Sequence, residues 1–566
     1  MYTIQENVRI VLSLLKQYNV RYIVVSPGGT NIPFSQAVQD DPFFTCYSVA
    51  DERSAMYFAI GLYLQTGEII ATSCTSAQAT RNYVPGLTEA FYKHVPILAI
   101  TTSKLERYQY QDYMQAPDQC SLPKDAVRKT YDLPPVTDDN TRVQVIQSAR
   151  EAILEVTHRT PAPIQINVRI DDKQQNQFIE TKLTPVRELK RYMAWDDWND
   201  CILVGKKILI VVGEHRQFSK IQQEELDEFC NYYNVVVYVN NLSNYNGKYA
   251  IKANLLMSCG GLASIKPDLI VTLGGQTGDY SLFYSLFNKN IEHWRVSKDG
   301  DIIDTYNSLT KVFECPEEYF LRRLKKNVPV EHTYYDDFVK LNSKIDYGVE
   351  VPFSNLYIAQ TFYSKMPHNS IINFAILNSL RCWNYFPLDK SISGYGNVAA
   401  FGIDGCNSML IGESMNTNEL CFLITGDLAF FYDMNSLGIR HIKNNIRIIL
   451  INNSGGAEFK IMTSSWKEKI NTDTYISANG HYGNAKGWAE NCGFKYLSSS
   501  SKEEFLNIHD QLLQEDKSPI LLEVFTKQED ETEAIKIFLD TNTKRLATGN
   551  TLSKIVKKIE SKIIHN

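Results

Sequence analysis

The sequence predicts an α/β protein with three doubly wound parallel sheets. Short, uninterrupted apolar runs alternate with helical patterns along all 566 residues, and such runs are typical of parallel strands covered by helices on both faces. Polar stretches around residues 171–189 and 325–338 separate three parts of comparable size. We therefore expect domains over residues 1–180, 190–345 and 350–566. The clearest strand candidates are Tyr22–Val25, Ile69–Ala71, Ile97–Ile100, Ile164–Val168, Ile208–Val212, Val235–Val239, Leu269–Leu273, Phe422–Ile424, Ile446–Ile451 and Ile520–Val524.

Composition excludes several classes of protein. A net charge of -6 argues against a nucleic-acid or acidic-membrane partner. The 11 cysteines stand singly without a CxxC pair, which favours reduced thiols over a disulfide framework. The N-terminal helical pattern lacks the features of a signal peptide, and no apolar run reaches the roughly 18 residues of a membrane span. We expect a cytoplasmic protein whose lysine-rich end, TLSKIVKKIESKIIHN, is a solvated helix.

Two polar clusters in the last third follow neighbouring strands. Gly426-Asp427 ends the first strand, a helix is predicted from about Tyr432 to His441, and Asn452-Asn453 ends the next strand. Ligands bind where the parallel strands of an open sheet end. Carboxylate and amide oxygens, with a glycine-rich turn at Gly455-Gly456, suit a hard cation bound to phosphate. The sequence therefore predicts a Mg²⁺ site, with Mn²⁺ as an alternative.

A second motif, YSVADERSAMYFAIGLYLQTG, lies far upstream. It places Glu52 between a strand-like segment and a helix running from about Arg53 to Tyr63. A carboxylate at the start of a helix usually serves as a cap or dipole partner. On its own, Glu52 therefore has an ordinary structural explanation.

Together, the two motifs resemble the thiamine-diphosphate enzyme superfamily. The resemblance implies that Asp427, Asn453 and the Gly455 carbonyl hold the metal on the diphosphate. It implies that Glu52 bonds the pyrimidine ring and so activates the thiazolium carbon, which decarboxylates a 2-oxoacid. The family places these motifs on different subunits, so a homodimer or a dimer of dimers with its active site at the interface is implied. The implied cofactor-binding residues are Pro27, Gly28, Glu52, Ser76, Asn82, Ser379, Ile403, Gly426, Asp427, Leu428, Gly455 and Gly456.

Within the superfamily, the chain resembles the menaquinone-pathway synthases, which join decarboxylated 2-oxoglutarate to isochorismate. The likeness covers nearly the whole chain, through stretches such as SPGG, ADER, YMQAPDQ, LGGQ, FGIDG and NNSGG. It implies that Gln115 lies near the reacting centre. This branch is flavin-free, and the middle part has no GxGxxG between a strand and a helix, so we expect no FAD. His481 and His94 are further candidates, although neither matches a catalytic position.

The departures from this branch fall on its substrate-binding residues. Its Ser-Pro-Gly-Ser-Arg is here Ser26–Thr30, its Lys-Arg pair is Tyr280-Ser281, and an arginine is replaced at Trp383, although Arg381 lies nearby. Losing charge-assisted hydrogen bonds, at roughly 1.5–3 kcal/mol each, would weaken the binding of a polycarboxylate. The expected substrate contacts are Thr30, Lys104, Tyr280, Arg381, Trp383, Glu458 and Phe459.

These departures favour intact cofactor chemistry with a changed substrate pair. The remaining decarboxylated fragment, a carbanion-enamine, would join a less anionic acceptor such as a modified sugar. Three alternatives stay open: the menaquinone-pathway reaction itself, an acetolactate-type or simple 2-oxoacid decarboxylase, and a non-catalytic cofactor-binding protein.

Overall fold

The computed structural model describes residues 1–326, 330–462, 475–481 and 483–547. Three sheets with interspersed helices confirm the predicted α/β class. The described residues fall into two compact units, residues 1–190 and 191–566. The lysine-rich end of the chain lies outside the described residues.

The first unit contains one six-stranded parallel sheet. Its strand order is β2-β1-β3-β4-β6-β5. The strands are β1 Tyr22–Val25, β2 Thr45–Ser48, β3 Ile70–Thr75, β4 Ile97–Ser103, β5 Thr130–Leu133 and β6 Ile164–Arg169. The helices are α1 Glu6–Gln17, α2 Ile32–Asp40, α3 Glu52–Thr66, α4 Ser76–Asn82, α5 Val84–Tyr92 and α6 Asp139–Glu155. Separate apolar clusters cover the two faces of the sheet, as expected for a parallel sheet buried on both sides.

The second unit contains two sheets. The seven-stranded sheet has the order β10-β9-β8-β11-β12-β13-β7, with parallel pairing from β8 to β13. Its strands are β7 Lys190–Met193, β8 Ile208–Val212, β9 Val235–Val239, β10 Ala250–Lys252, β11 Leu269–Leu273, β12 Glu292–Ser297 and β13 Leu309–Glu314. The associated helices are α7 Lys220–Asn231, α8 Asn254–Ser258, α9 Tyr280–Leu286, α10 Glu317–Leu324 and α11 Thr333–Asn342.

The last sheet is parallel throughout, in the order β15-β14-β16-β17-β19-β18. Its strands are β14 Ile371–Phe374, β15 Ser393–Gly396, β16 Cys421–Gly426, β17 Ile446–Asn452, β18 Lys495–Ser499 and β19 Ile520–Phe525. The helices are α12 Asn355–Phe362, α13 Asn378–Asn384, α14 Cys406–Ser414, α15 Asp427–Tyr432, α16 Glu458–Met462, α17 Lys486–Asn491, α18 Lys502–Ile508 and α19 Gln528–Leu546.

One continuous apolar core joins the two sheets of the second unit. It includes Leu209 and Tyr238 from the seven-stranded sheet, and Ile372 and Phe422 from the last sheet. This shared core explains why residues 191–566 form one compact unit although they contain two sheets. The domain boundary expected between residues 345 and 350 stays a prediction.

The predicted helix from Tyr432 to His441 is wrong. The helix instead begins at the turn itself, as α15, and a short 3₁₀ turn covers Met434–Gly438. Asp433 leaves the helical conformation, with φ of -120° and ψ of 18°, and its carboxylate accepts hydrogen bonds from the backbone N–H and hydroxyl of Ser408 in α14, at 2.7 and 2.8 Å. The first turn of α15 therefore lies directly at the end of β16.

Among the described residues, no helix is both long and apolar enough to cross a bilayer.

Candidate cofactor and active site

Asp427 is the centre of the polar cluster where β16 ends. The residue is only 2% exposed, and its Oδ2 accepts the N–H groups of Asn453 and Gly455 at 3.0 and 3.1 Å. Its Oδ1 accepts the N–H of Leu428 at 2.7 Å. These bonds hold the loop after β17 against the turn after β16, so the two predicted halves of the metal motif lie together.

The two asparagines at the end of β17 have different surroundings. Asn452 donates from Nδ2 to the buried carboxylate of Glu523 at 2.7 Å and to the Gly483 carbonyl at 3.1 Å. Asn453 Oδ1 is buried and finds no hydrogen-bond partner among the residues that the structure describes. A buried acceptor without a partner is unfavourable unless a ligand supplies one. Asn452 therefore anchors the loop, and Asn453 offers a free ligand oxygen.

The charge at this cluster also suits a cation. Burial raises the pKa of Asp427 above its ordinary value, although the nearby His481 and the N–H of Gly455 oppose that shift. His481 Nε2 lies 3.1 Å from Asp427 Oδ2. A Mg²⁺ ion bound to Asp427 Oδ and Asn453 Oδ1 would satisfy both the buried carboxylate and the unpartnered amide oxygen. The residues present therefore fit the predicted metal.

Gly455 and Gly456 pass close to a second segment. A Cβ at Gly455, whose φ is +151°, would lie 2.4 Å from Asn479 Oδ1 and 2.9 Å from Asn479 Cα. Gly456 donates its N–H to the Ser477 carbonyl at 2.7 Å. The N–H groups of both glycines are thus bonded within the protein. That backbone groups of this turn approach the diphosphate stays a prediction.

Ser379 and Ile403 lie near the ends of other strands of the last sheet. Ser379 is buried in α13, just after Leu377, whose φ of +64° is rare for a branched residue. Asn378 donates to Glu531 Oε2 at 3.3 Å, which holds the start of α13. Ile403 is half-buried and packs against both apolar clusters of this sheet.

In the first unit, the predicted cofactor residues follow the carboxyl ends of β1, β2 and β3. Pro27 and Gly28 follow β1, Glu52 starts α3 after β2, and Ser76 follows β3 with a φ of +65°. Carboxyl ends of parallel strands meet at one edge of a sheet. The structure therefore brings Pro27, Gly28, Glu52 and Ser76 to the same edge, with Asn82 exposed at the end of α4.

Glu52 is not the cap of its helix. Asp51 caps α3, because its side chain accepts the N–H groups of Arg53 and Ser54. Within the described part of the chain, no hydrogen bond or ion pair holds the half-buried Glu52 carboxylate. Glu52 therefore does not cap α3, although it still lies in the first turn of the helix, and its carboxylate is available to a ligand.

Gly28 is required by a close approach to β3. A Cβ at Gly28 would lie 1.9 Å from Thr75 Cγ2, whereas a Cβ at the neighbouring Gly29 would meet only the Gln175 side chain, at 3.8 Å. We expect Gly28→Ala to lower the stability of the chain by about 1–3 kcal/mol, because overpacking forces neighbouring atoms apart. Gly29→Ala is the matched control and should be nearly neutral. Urea unfolding of both variants checks this, and equal losses would contradict it.

The other predicted residues of the first unit have mixed surroundings. Lys104 forms an ion pair with Asp172 at 2.6 Å. Gln115 is exposed in a loop and has a φ of +62°, whereas Thr30 is buried in the 3₁₀ turn Gly29–Asn31. Lys104 is therefore already neutralised within its own unit.

A cleft in the second unit lies between α9 and α13. Tyr280 is 40% exposed beside it, with its ring edge-on to Phe401 at a centroid distance of 5.6 Å. Arg381 also lines the cleft and is bonded to Glu458. The cleft is lined by Asn254, Ser258, Gly278, Asp279, Tyr280, Ser281, Leu377, Arg381, Asn384 and Tyr385.

Several known proteins are similar to this chain in sequence. The sequence pattern of the family described as "Thiamine pyrophosphate enzyme, N-terminal TPP binding domain" matches residues 6–122. A Phocaeicola vulgatus protein named 2-succinyl-5-enolpyruvyl-6-hydroxy-3-cyclohexene-1-carboxylate synthase is 30% identical over 554 residues, covering 95% of this chain and 98% of the relative. The chain belongs to this family of thiamine-pyrophosphate enzymes.

Other relatives carry the same name. The Bacteroides thetaiotaomicron protein is 28% identical over 559 residues, which is 95% of this chain and 98% of the relative. The Bacteroides fragilis protein is 29% identical over 561 residues, which is 95% of this chain and 99% of the relative. The predicted membership in the thiamine-diphosphate enzymes, on the synthase branch, is confirmed.

One predicted substrate contact of this thiamine-pyrophosphate enzyme is wrong. Trp383 is completely buried and packs near Phe362 and Phe374. Residues two apart on a helix face different sides, so Arg381 in the cleft directs Trp383 into the core. Phe459, next to Glu458, is 42% exposed.

Asn254, Ser258 and Asp279 are among the cleft residues that the sequence analysis missed. Asp279 caps α9 by accepting the N–H groups of Ser281 and Leu282, and it also accepts hydrogen bonds from Tyr238 and from Asn254 Nδ2. The Asp-Tyr-Ser segment carries a helix-cap signal, but Asn254 and Ser258 come from α8 and carry no local signal for this site.

Proposed function

We propose that this chain decarboxylates a 2-oxoacid with thiamine diphosphate and joins the remaining fragment to a second substrate. The observation that carries the proposal is the Glu52 carboxylate, which no described residue bonds because Asp51 caps α3 in its place. It is supported by the buried, unpartnered Oδ1 of Asn453 beside Asp427. A protein that only binds the cofactor would also need the Asn453 oxygen, but it would not need a carboxylate at Glu52 to activate the cofactor.

The proposed roles of the residues follow from their surroundings. Bound thiamine diphosphate would stabilise the electron pair that stays on the remaining fragment when carbon dioxide leaves. Glu52 holds a proton-sharing hydrogen bond to the pyrimidine ring, and Asp427 and Asn453 hold Mg²⁺ on the diphosphate. Gln115 orients the substrate near the reacting centre. We further propose that no FAD is used and that the enzyme works in the cytoplasm.

A homodimer, or a dimer of dimers, belongs to the same proposal. Helix α3, which begins with Glu52, exposes apolar side chains at Tyr57 (48%), Phe58 (42%) and Leu64 (68%). Exposed apolar side chains grouped on one helix are typical of surfaces covered in an assembly. A second copy of the chain would cover them beside Glu52.

For the acceptor, we propose a polar molecule with few carboxylates, such as a modified sugar. The support is a cleft lined by hydroxyl and amide side chains, in which Arg381 is paired with Glu458. A second candidate is the reaction of the menaquinone-pathway synthase, from 2-oxoglutarate and isochorismate. It is favoured by the shared name of relatives that match 95% of the chain.

A donor screen tests the proposal. The full-length protein with thiamine diphosphate and Mg²⁺ is assayed for carbon dioxide release from a panel of 2-oxoacids, with and without acceptors. We expect release from at least one donor, with a further increase when the right acceptor is present. Turnover of 2-oxoglutarate with isochorismate would establish the second candidate. Rapid release without any acceptor would favour a simple decarboxylase, and no release from any donor with cofactor bound would refute the enzyme proposal.

A further inference from the structure

Arg381 and Glu458 form a two-pronged ion pair beside the cleft. Arg381 Nη1 donates to Glu458 Oε2 at 2.7 Å, and Nη2 donates to Oε1 at 2.6 Å. The Arg381 side chain is 20% exposed and that of Glu458 is 9% exposed. Paired, parallel hydrogen bonds of this kind are how an arginine recognises a carboxylate ligand. Glu458 therefore occupies the position that a carboxylate of a bound molecule would take.

The pair is electrically complete. Burial alone would lower the pKa of Arg381, but the hydrogen bonds and charge of Glu458 outweigh it and hold that pKa above its ordinary value. A buried arginine without a counter-ion would attract an anion strongly, because unpaired buried charge is unfavourable. With Glu458 in place, that attraction is cancelled.

The remaining groups of the cleft are suited to neutral donors. In the described part of the chain, Asn254 Oδ1 is buried without a hydrogen-bond partner, although Asn254 Nδ2 donates to Asp279 at 2.8 Å. Ser258 and Ser281 lie beside it, with their hydroxyl oxygens 2.8 Å apart. The Asp279 carboxylate is already occupied, because it accepts hydrogen bonds from Tyr238, Asn254 and the N–H groups of α9, and it adds no positive charge to the cleft. Among the described lining residues, Arg381 is the one cation.

We propose that Glu458 is an internal counter-ion that determines specificity: it occupies Arg381 so that the cleft takes a neutral, hydroxyl-bearing group and rejects a carboxylate. That this group belongs to the acceptor rests on the proposed function. That Glu458 blocks a carboxylate site concerns the ion pair alone and is tested without turnover.

The test removes the counter-ion and offers a replacement. Glu458→Ala, as the full-length protein with thiamine diphosphate and Mg²⁺, is titrated with sodium acetate and sodium succinate against sodium chloride at equal ionic strength. We expect acetate and succinate to raise its thermal midpoint in a concentration-dependent way and to bind about tenfold to a hundredfold more tightly than to the unsubstituted protein. The matched control is Arg381→Leu combined with Glu458→Leu, which should not respond.

Several outcomes would overturn the proposal. Equal responses of Glu458→Ala and the unsubstituted protein would do so, as would an equal response of the double variant. If Glu458→Ala does not fold, Glu458→Gln keeps the side-chain volume and carries the same titration, with a smaller expected response. If neither substitution creates carboxylate binding, Glu458 is not a counter-ion of a latent anion site. A turnover assay adds a separate result. In Glu458→Ala, selectivity for carboxylate-bearing over neutral acceptors should rise by the same factor as the affinity for acetate and succinate.

Discussion

Glu52→Gln is expected to reduce carbon dioxide release by about 10²–10⁴-fold, which is the usual contribution of a positioned acid–base group. Glutamine keeps the size of the side chain but cannot share a proton with the pyrimidine ring. Thiamine diphosphate should still bind, because the proposed metal and diphosphate contacts lie elsewhere. The thiazolium proton of the bound cofactor should exchange for deuterium more slowly by a similar factor, which NMR measures.

Asp51→Asn is the matched control for this result. It changes the adjacent carboxylate, and Asp51 has a structural role as the cap of α3. Asparagine is also a good cap residue, so the loss of stability should be well under the roughly 1 kcal/mol typical of losing a cap. Unchanged proton exchange in Glu52→Gln, or an equal loss in Asp51→Asn, would show that Glu52 does not activate the cofactor.

Asp427→Asn is expected to weaken the Mg²⁺-dependent binding of thiamine diphosphate by about a hundredfold or more, since even outer partners of metal ligands contribute 10–100-fold. The substitution removes the charge that a cation needs, and it replaces an oxygen that accepts two backbone N–H groups. The loop after β17 should also become more mobile, because Asp427 holds its N–H groups as well as the proposed metal. Titration calorimetry with Mg²⁺ and thiamine diphosphate measures the loss of affinity, and hydrogen exchange at the N–H groups of Asn453 and Gly455 measures the loosening of the loop.

Asp433→Asn provides a control on the same segment. Asp433 ends α15 and bonds Ser408, and it is not among the predicted ligands. Asparagine keeps only one of the two acceptor oxygens that Ser408 uses, so the replacement should lower stability by about 0.5–1.5 kcal/mol, with cofactor affinity nearly unchanged. Comparable weakening of cofactor binding in both variants would mean that Asp427 acts only through the fold of this segment.

The strands of the fold were largely predictable from the sequence. Apolar runs buried on both faces are specified locally, and Ile208–Val212, Val235–Val239 and Leu269–Leu273 begin and end where they were predicted. The helix after Asp427 was misplaced. Its observed end lies beside α14, where Ser408 donates a hydrogen bond to Asp433. Such contacts between segments are not visible in local periodicity.

The candidate site was only partly predictable, for a related reason. Motif spacing identified Asp427, Asn453 and Glu52, since these lie at the ends of strands. It could not show that Asn452 is anchored by Glu523, nor could it pair Arg381 with Glu458. Those distinctions depend on which side chain each group meets after folding.

The first and last sheets share one strand order. In each, the strands taken in chain order lie side by side as second, first, third, fourth, sixth and fifth. An ancestral gene copied and fused to itself would account for this repetition. Under the proposed roles, the first sheet would supply the carboxylate after its second strand, and the last sheet would supply ligand oxygens after its third and fourth strands. The residues that line the cleft at Arg381 all belong to the second unit. Substitutions there could therefore change the accepted substrate while the first sheet, which carries Glu52, stays the same.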